Sequence, residues 1–376
     1  MIKSRILSYE MQIDYSKVET EKVILIGLAR NSREKEHVLN SLDELAFLSE
    51  SAGATVLGQR VQVRSRPDPA YYIGKGLVSE LKERLADKGG NCIIFDDTLS
   101  PAQQRNLEKA LDAKVIDRAI LILAIFADRA RTSAARLQVE LAQLEYTLPR
   151  LTGAWVHFSR QYGGIGAKGP GETQLEIDRR QVRTKISHLK KRLKKLDVQR
   201  QTQRKRRQDL FKITLVGYTN AGKSTLFNKL TKADVTTANK LFTTLDSTTR
   251  VMSSGYPCKI VFSDTVGFIK KLPHQLVESF KSTLEEVILA DLLLHVVDFS
   301  DPEKETRIKQ TKLVLTEIGA DNLSYLLINN KIDLIEDKDE ITNNSDFYIS
   351  AKTGIGLPAL QAEIISLSNK FILNRY

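Results

Sequence analysis

Cysteine is nearly absent. The chain has two, Cys92 and Cys258, among 376 residues. That excludes a disulfide framework, and with no histidine at ligand spacing it also excludes a thiolate zinc site. Both lie in apolar, strand-like runs and read as buried, reduced thiols, as expected in a cytosol. Long hydrophobic runs are missing too. The longest, Ala119 to Ala127, is bounded by Asp117, Arg118 and Asp128, far short of the ~20 residues of a membrane span. The first residues carry Glu10 and Asp14 and no apolar stretch suited to a secretion signal. Glycine and proline are too sparse for a low-complexity chain. What remains is globular, 41% hydrophobic and 27% charged, with length for two or three domains. A soluble, cytoplasmic monomer is expected.

Negative charge is also scarce in one place. From Asp178 to Arg207 there are fourteen Lys/Arg and two Asp, a net of +12. The whole chain carries +11, so the rest sums to −1. A basic stripe confined to one segment suits a polyanion, a nucleic acid or an acidic membrane surface. A solvated helix face is the plain alternative.

Residues 1–20 show no period. From Val23 strands and helices alternate, which predicts a parallel sheet. The expected strands are Val23 to Leu28, Ala54 to Val63, Cys92 to Phe95 and Lys114 to Ile116. Helices are expected at Ser41 to Ser51, Leu77 to Ala86 and from Pro101, with Ser100 as its cap. A long helical region begins near Asp117. Its leucines at 137, 141, 144, 148 and 151 keep coiled-coil spacing, and Pro149 should kink or end it. A second apolar series runs through Leu175, Val182, Ile186, Leu189, Leu193 and Leu196. Between the two lies a glycine-rich stretch from Gly163 to Gly171. Two seams joined by such a loop predict an antiparallel helical hairpin with the basic stripe on its second arm.

A further set of strands and helices starts at Lys212. The strand Lys212 to Val216 leads into Gly217-Tyr218-Thr219-Asn220-Ala221-Gly222-Lys223-Ser224, followed by Thr225. This is the phosphate-loop pattern, strand before and helix after. Backbone N–H groups point at phosphates, Lys223 neutralises them, and Ser224 offers a hydroxyl to Mg²⁺. Asp264-Thr265-Val266-Gly267 follows a strand; its carboxylate suits the Mg²⁺ shell through water, and the Gly267 N–H suits a γ-phosphate. Asn330-Lys331-Ile332-Asp333 follows another strand. The Asp333 carboxylate can accept from both guanine donors, which adenine lacks, while the Lys331 stem covers the base. Ser350-Ala351-Lys352 can offer an N–H to the guanine O6. Four motifs in order, each at the carboxyl end of a strand, read as a GTP site with Mg²⁺. The switch threonine should lie in Phe242-Thr243-Thr244-Leu245-Asp246. Thr244 is the expected second Mg²⁺ hydroxyl and Thr243 the rival. Lys223, Thr244 and Gly267 are the expected catalytic set. A glutamine after the Gly267 position is missing: Phe268 stands there and cannot orient water, so intrinsic hydrolysis should be slow.

Several stretches outside these motifs carry a family resemblance. They are Arg66-Pro67-Asp68-Pro69-Ala70 with Tyr72-Ile73-Gly74-Lys75-Gly76, Leu137 to Leu144, Leu148-Pro149-Arg150-Leu151, and Gly163 through Glu176. With Phe242 to Asp246 and Asp264 to Phe268, they closely resemble the HflX family of bacterial ribosome-associated GTPases. Near Ala134 the acidic residue expected from that family is missing. The resemblance implies an α/β fold: an N-terminal segment 1–20, an α/β domain 21–130, a helical hairpin 131–207 with tip 163–174, and a GTPase domain 208–376 with a mostly parallel sheet. It implies binding to the large ribosomal subunit and its rRNA, ribosome-stimulated hydrolysis of GTP to GDP, and splitting or rescue of stalled or idle ribosomes under stress. It gives Thr244 the magnesium role and makes the hydrophobic Phe268 a family feature. The expected ribosome contacts are Gly163, Gly164, Lys168, Gly169 and Gly171 at the tip, and Lys190, Lys191, Arg192, Lys194 and Lys195 on the second arm. ATP is a second nucleotide for the family, but Gly74-Lys75-Gly76 lacks the full phosphate-loop pattern and reads as a glycine turn before a helix. Rival readings are an RNA chaperone gated by its nucleotide and a regulatory GTPase with a protein target.

Overall fold

A computed structural model describes residues 21–152, 170–205, 210–231, 248–252, 258–271, 281–335 and 346–373. The chain forms two compact units, Met1–Asp128 with Val139–His188, and Arg129–Gln138 with Leu189–Tyr376. Among the described residues no helix is long and apolar enough to cross a membrane.

The first unit holds a four-stranded parallel sheet of β1 (Lys22–Ala29), β2 (Thr55–Val63), β3 (Cys92–Phe95) and β4 (Lys114–Asp117). Their order is β2-β1-β3-β4. β1 and β3 are central and buried, so they read as unbroken apolar runs, KVILIGLA and CIIF; the edge strand β2 is mixed. Three helices connect them: α1 (Lys35–Ser51), α2 (Lys75–Lys88) and α3 (Pro101–Leu111). α3 starts as its sequence dictates: the Ser100 hydroxyl accepts from Gln103 N, Gln103 Oε1 accepts from Ser100 N, and Pro101 fills the first position. Ile24, Ile26, Leu81, Ile93, Phe95 and Leu107 meet in the core.

The helical region near Asp117 is two helices, α4 (Arg118–Arg129) and α5 (Ser133–Thr147). Thr132 interrupts it, since its hydroxyl accepts from Ala135 N and starts the second helix. α5 ends before Pro149, and Leu148–Thr152 tighten into a 3-10 turn. The buried Asp117 takes Ile120 N at the start of α4, and also Leu99 N and the Tyr146 hydroxyl. Arg118 beside it is buried against Asp96 and Glu44. Arg150 Nη2 lies 3.7 Å from Asp117 Oδ2, so each of these buried charges faces an opposite one.

α6 (Pro170–Lys205) is one helix of 36 residues. Val182 and Leu189 are buried; Lys190, Lys191, Arg192, Lys194 and Lys195 are exposed. Lys185 on α6 meets Glu140 on α5 at 2.8 Å.

The second unit holds β5 (Phe211–Val216), β6 (Thr248–Met252), β7 (Ile260–Asp264), β8 (Leu292–Asp298), β9 (Tyr325–Asn330) and β10 (Phe347–Tyr348). The order is β10-β9-β8-β5-β7-β6, parallel except for the antiparallel edge β6. Its helices are α7 (Lys223–Thr231), α8 (Lys281–Ile288), α9 (Lys304–Glu317) and α10 (Leu357–Leu373). Ile213, Leu215, Phe227, Phe262, Leu294, Ile328 and Ile364 form its core. β5 lies between β7 and β8, so the chain reverses direction across the sheet there. Ligands of open α/β sheets bind at such a point, beyond the carboxyl ends of the strands.

Candidate nucleotide site

Every motif described falls at that carboxyl edge. β5 ends at Val216 and the phosphate loop turns into α7 at Lys223. Gly222 has φ 93°, and a Cβ there would lie 2.2 Å from Asn330 Nδ2. Only glycine fits that conformation and that approach. The neighbour is a brace: Asn330 Nδ2 donates to Ala221 O at 2.8 Å, and Ala351 N donates to Asn330 Oδ1 at 2.9 Å. One amide thereby joins the phosphate loop, the end of β9 and the Ser350-Ala351-Lys352 loop. The sequence placed Asn330 in a motif but assigned it no such role.

Lys223 is buried, and its Nζ donates to Gly217 O at 3.0 Å and Tyr218 O at 2.7 Å. Burial pulls its pKa down to about 8, against the pull of Asp264. Near neutral pH Lys223 is still mostly an ammonium, and a nearby anion would favour that charged form further. Ser224 Oγ donates to Asp264 Oδ2 at 2.6 Å. A hydroxyl and a carboxylate side by side are hard oxygen donors of the kind Mg²⁺ takes.

The segment after Asp264 lies against the phosphate loop. A Cβ on Gly267 would meet Thr219 Cα at 2.7 Å and Lys223 Nζ at 2.9 Å, so glycine is required there. Thr219 N donates to Phe268 O at 2.8 Å, and Phe268 N donates to Gly217 O at 3.1 Å. The Tyr218 hydroxyl accepts from Lys270 N at 2.8 Å. Phe268 itself is buried. Thr265 donates its hydroxyl to Leu215 O at 2.6 Å and ties the end of β7 to β5.

Beyond the end of β9, Lys331 has φ 67°, and its Nζ meets Asp298 Oδ2 at 2.6 Å. Asp333 is exposed and Ile332 half-buried. Ser350 is buried, accepting Thr353 N on its hydroxyl and Gly354 N on its carbonyl. Ala351 is buried too, while Asn220 and Lys352 are exposed and Thr225 is half-buried. The structure thus gathers Gly217 to Thr225, Asp264 to Gly267, Asn330 to Asp333 and Ser350 to Lys352 at one edge. Phe242, Thr243, Thr244, Leu245 and Asp246 lie outside the described residues, as do Gly163, Gly164, Lys168 and Gly169. Gly171, expected in the glycine-rich tip, stands in the first turn of α6, because Pro170 opens the helix.

Three family models match the chain: a GTP-binding GTPase N-terminal region over residues 39–127, a GTP-binding GTPase middle region over 129–207, and a 50S ribosome-binding GTPase over 212–331. The GTPase HflX of Flavobacterium psychrophilum is 47% identical over 89% of this chain and 80% of its own length. That of Caldanaerobacter subterraneus is 49% identical over 91% and 79%. A solved structure described as an SsGBP and GDP complex aligns with 93% of this chain and 99% of its own, at 25% identity and a TM-score of 0.49. With identity at this level running through all three regions, the chain belongs to the HflX family of GTP-hydrolysing, P-loop GTPases.

Proposed function

We propose that this GTPase works on the ribosome: it binds the large subunit and its rRNA, and splits or rescues stalled or idle ribosomes under stress, in the cytoplasm. The observation that carries this reading is the match of residues 212–331 to a family described as 50S ribosome-binding. The exposed cations of α6 support it, since counterion release on RNA needs such a face. The proposed working parts are an α/β domain at 21–130, a helical region at 131–207 and the GTPase domain at 208–376.

In the nucleotide site, Lys223 and the phosphate-loop N–H groups hold the β- and γ-phosphates. Ser224 and Asp264, the latter through water, are the proposed Mg²⁺ residues, with Thr244 supplying a second hydroxyl. Bound Mg²⁺ neutralises charge on the phosphates. Gly267 donates its N–H toward the γ-phosphate, and Asp333 selects guanine. Phe268 has no group to orient water, so turnover depends on the ribosome completing the site.

The test is sedimentation of purified ribosomes with the full chain and a non-hydrolysable GTP analogue. Subunit separation and ribosome-stimulated hydrolysis are expected, and Lys223→Ala should abolish both. RNA annealing without separation of subunits would replace this reading with the chaperone one.

A further inference from the structure

β8 and β9 run parallel in register, Asp298 opposite Asn330. Beyond them Phe299 N donates to Asn330 O at 2.9 Å, which fixes the two chain ends together. That register sets the Asp298 side chain beside the residue following Asn330. Lys331 Nζ donates to Asp298 Oδ2 at 2.6 Å. The second carboxylate oxygen is held as well: Asp298 Oδ1 accepts from Ser300 N at 3.1 Å and Ser300 Oγ at 2.6 Å. A turn of its own chain therefore orients the carboxylate for the lysine. Both side chains are largely covered, 24% and 20% exposed, where screening is weaker than on open surface.

We propose that Asp298 is a positioning residue for guanine-nucleotide binding: it anchors the Lys331 ammonium so that the lysine stem is already extended along the face the base will occupy. The inference rests on the reading of Asn330-Lys331-Ile332-Asp333 as the base site. An unanchored lysine holds several rotamers, and a ligand that needs one of them loses affinity in selecting it. The ion pair makes that selection before the nucleotide arrives. It also defines what Lys331 contributes. With its charge met by Asp298, the side chain acts through its apolar stem and not as a second phosphate cation beside Lys223. Ser300 serves the same end by fixing the carboxylate.

The experiment uses the full chain, with methylanthraniloyl-GDP as the binding probe. The variants are Asp298→Asn, Lys331→Met and the two combined, read by Kd, by the KM and kcat of GTP hydrolysis, and by thermal unfolding without nucleotide. Each single variant should raise Kd about five- to tenfold, the scale of ordering one rotamer-rich side chain. The loss should appear in KM rather than in kcat. The double variant should bind no worse than the weaker single one, because both act through one pair. Asp298→Glu should recover part of the loss. Effects that multiply in the double variant overturn the inference, as does wild-type affinity in Asp298→Asn when Lys331→Met is weakened; either result leaves the base site standing. A fall in nucleotide-free thermal midpoint that accounts for the Asp298→Asn loss also overturns it. Unchanged affinity in Lys331→Met overturns this inference but leaves the base site standing, because methionine keeps an apolar stem; unchanged guanine selectivity in Asp333→Asn would overturn the base-site reading itself.

Discussion

His295 on β8 shares a small cavity behind the phosphate loop with Thr219, Thr311 and Arg307. It is 2% exposed. Burial, then Lys312 and Lys223, pulls its pKa from 6.5 to about 4. The fold therefore holds the imidazole neutral, while the unfolded chain takes up a proton near its ordinary value. Between those two pKa values the unfolded state binds more protons. This contribution to stability is full above 6.5 and is lost as pH falls toward 4, by up to about 1.4 kcal/mol for each pH unit. Denaturant midpoints measured from pH 7 to 4.5 should fall less steeply for His295→Gln than for the unaltered chain; equal slopes would refute the assignment. Neither His295 nor Asp298 was legible in the sequence. The phosphate loop was, because its chemistry is set by spacing within eight consecutive residues. Asp298 takes its meaning from a lysine 33 residues away, through a strand register that no local pattern encodes.

At the scale of elements, apolar runs fixed the central strands of the first sheet to within a residue, while β8, central in the second, went unread. β1 and β3 are buried on both faces, so their sequences leave little choice. The antiparallel edge of the second sheet was less clear. β6 pairs antiparallel at the margin of its sheet and has too few apolar residues to signal a strand. The break between α4 and α5 carries neither glycine nor proline, and depends on a threonine cap. α6 shows most directly how an element's pattern bears on function. Its apolar seam and its exposed cations lie on different faces, so one can be changed without the other. Replacing Lys190, Lys191, Arg192, Lys194 and Lys195 by glutamine keeps good helix formers in place and leaves Val182 and Leu189 untouched. RNA or ribosome affinity should fall, and its log–log salt slope should flatten by roughly 0.7 to 0.9 for each phosphate no longer neutralised. GTP affinity should not change. An unaltered slope would reduce the stripe to a solvated face.

At the scale of the molecule, the nucleotide motifs and the glycine-rich segment occupy separate stretches of the chain. The described nucleotide motifs, Gly217 to Thr225, Asp264 to Gly267, Asn330 to Asp333 and Ser350 to Lys352, lie in the second unit; the glycine-rich segment precedes them in sequence, at residues 163–169. The proposed work on the ribosome calls for such a division, because the site that hydrolyses GTP must stay intact while another part engages the partner. A helical arm of ~20 residues reaches ~30 Å, enough to carry a loop into a crevice. On the proposed ribosomal reading, the glycines would let backbone approach RNA closely and Lys168 would add a cation. The prediction is therefore a separation of functions. Residues 163–169 are replaced by a Gly/Ser linker of equal length, leaving Pro170 to open α6. GTP affinity should stay within about twofold, since none of the motifs that hold the nucleotide is altered. Ribosome splitting should be lost, and ribosome-stimulated hydrolysis reduced. All three are measured on one preparation by nucleotide titration, phosphate release and light scattering of whole ribosomes. Full splitting by the altered chain would leave the segment as a connector between two helices, and a loss of GTP affinity would show that the two stretches are not separable in this way.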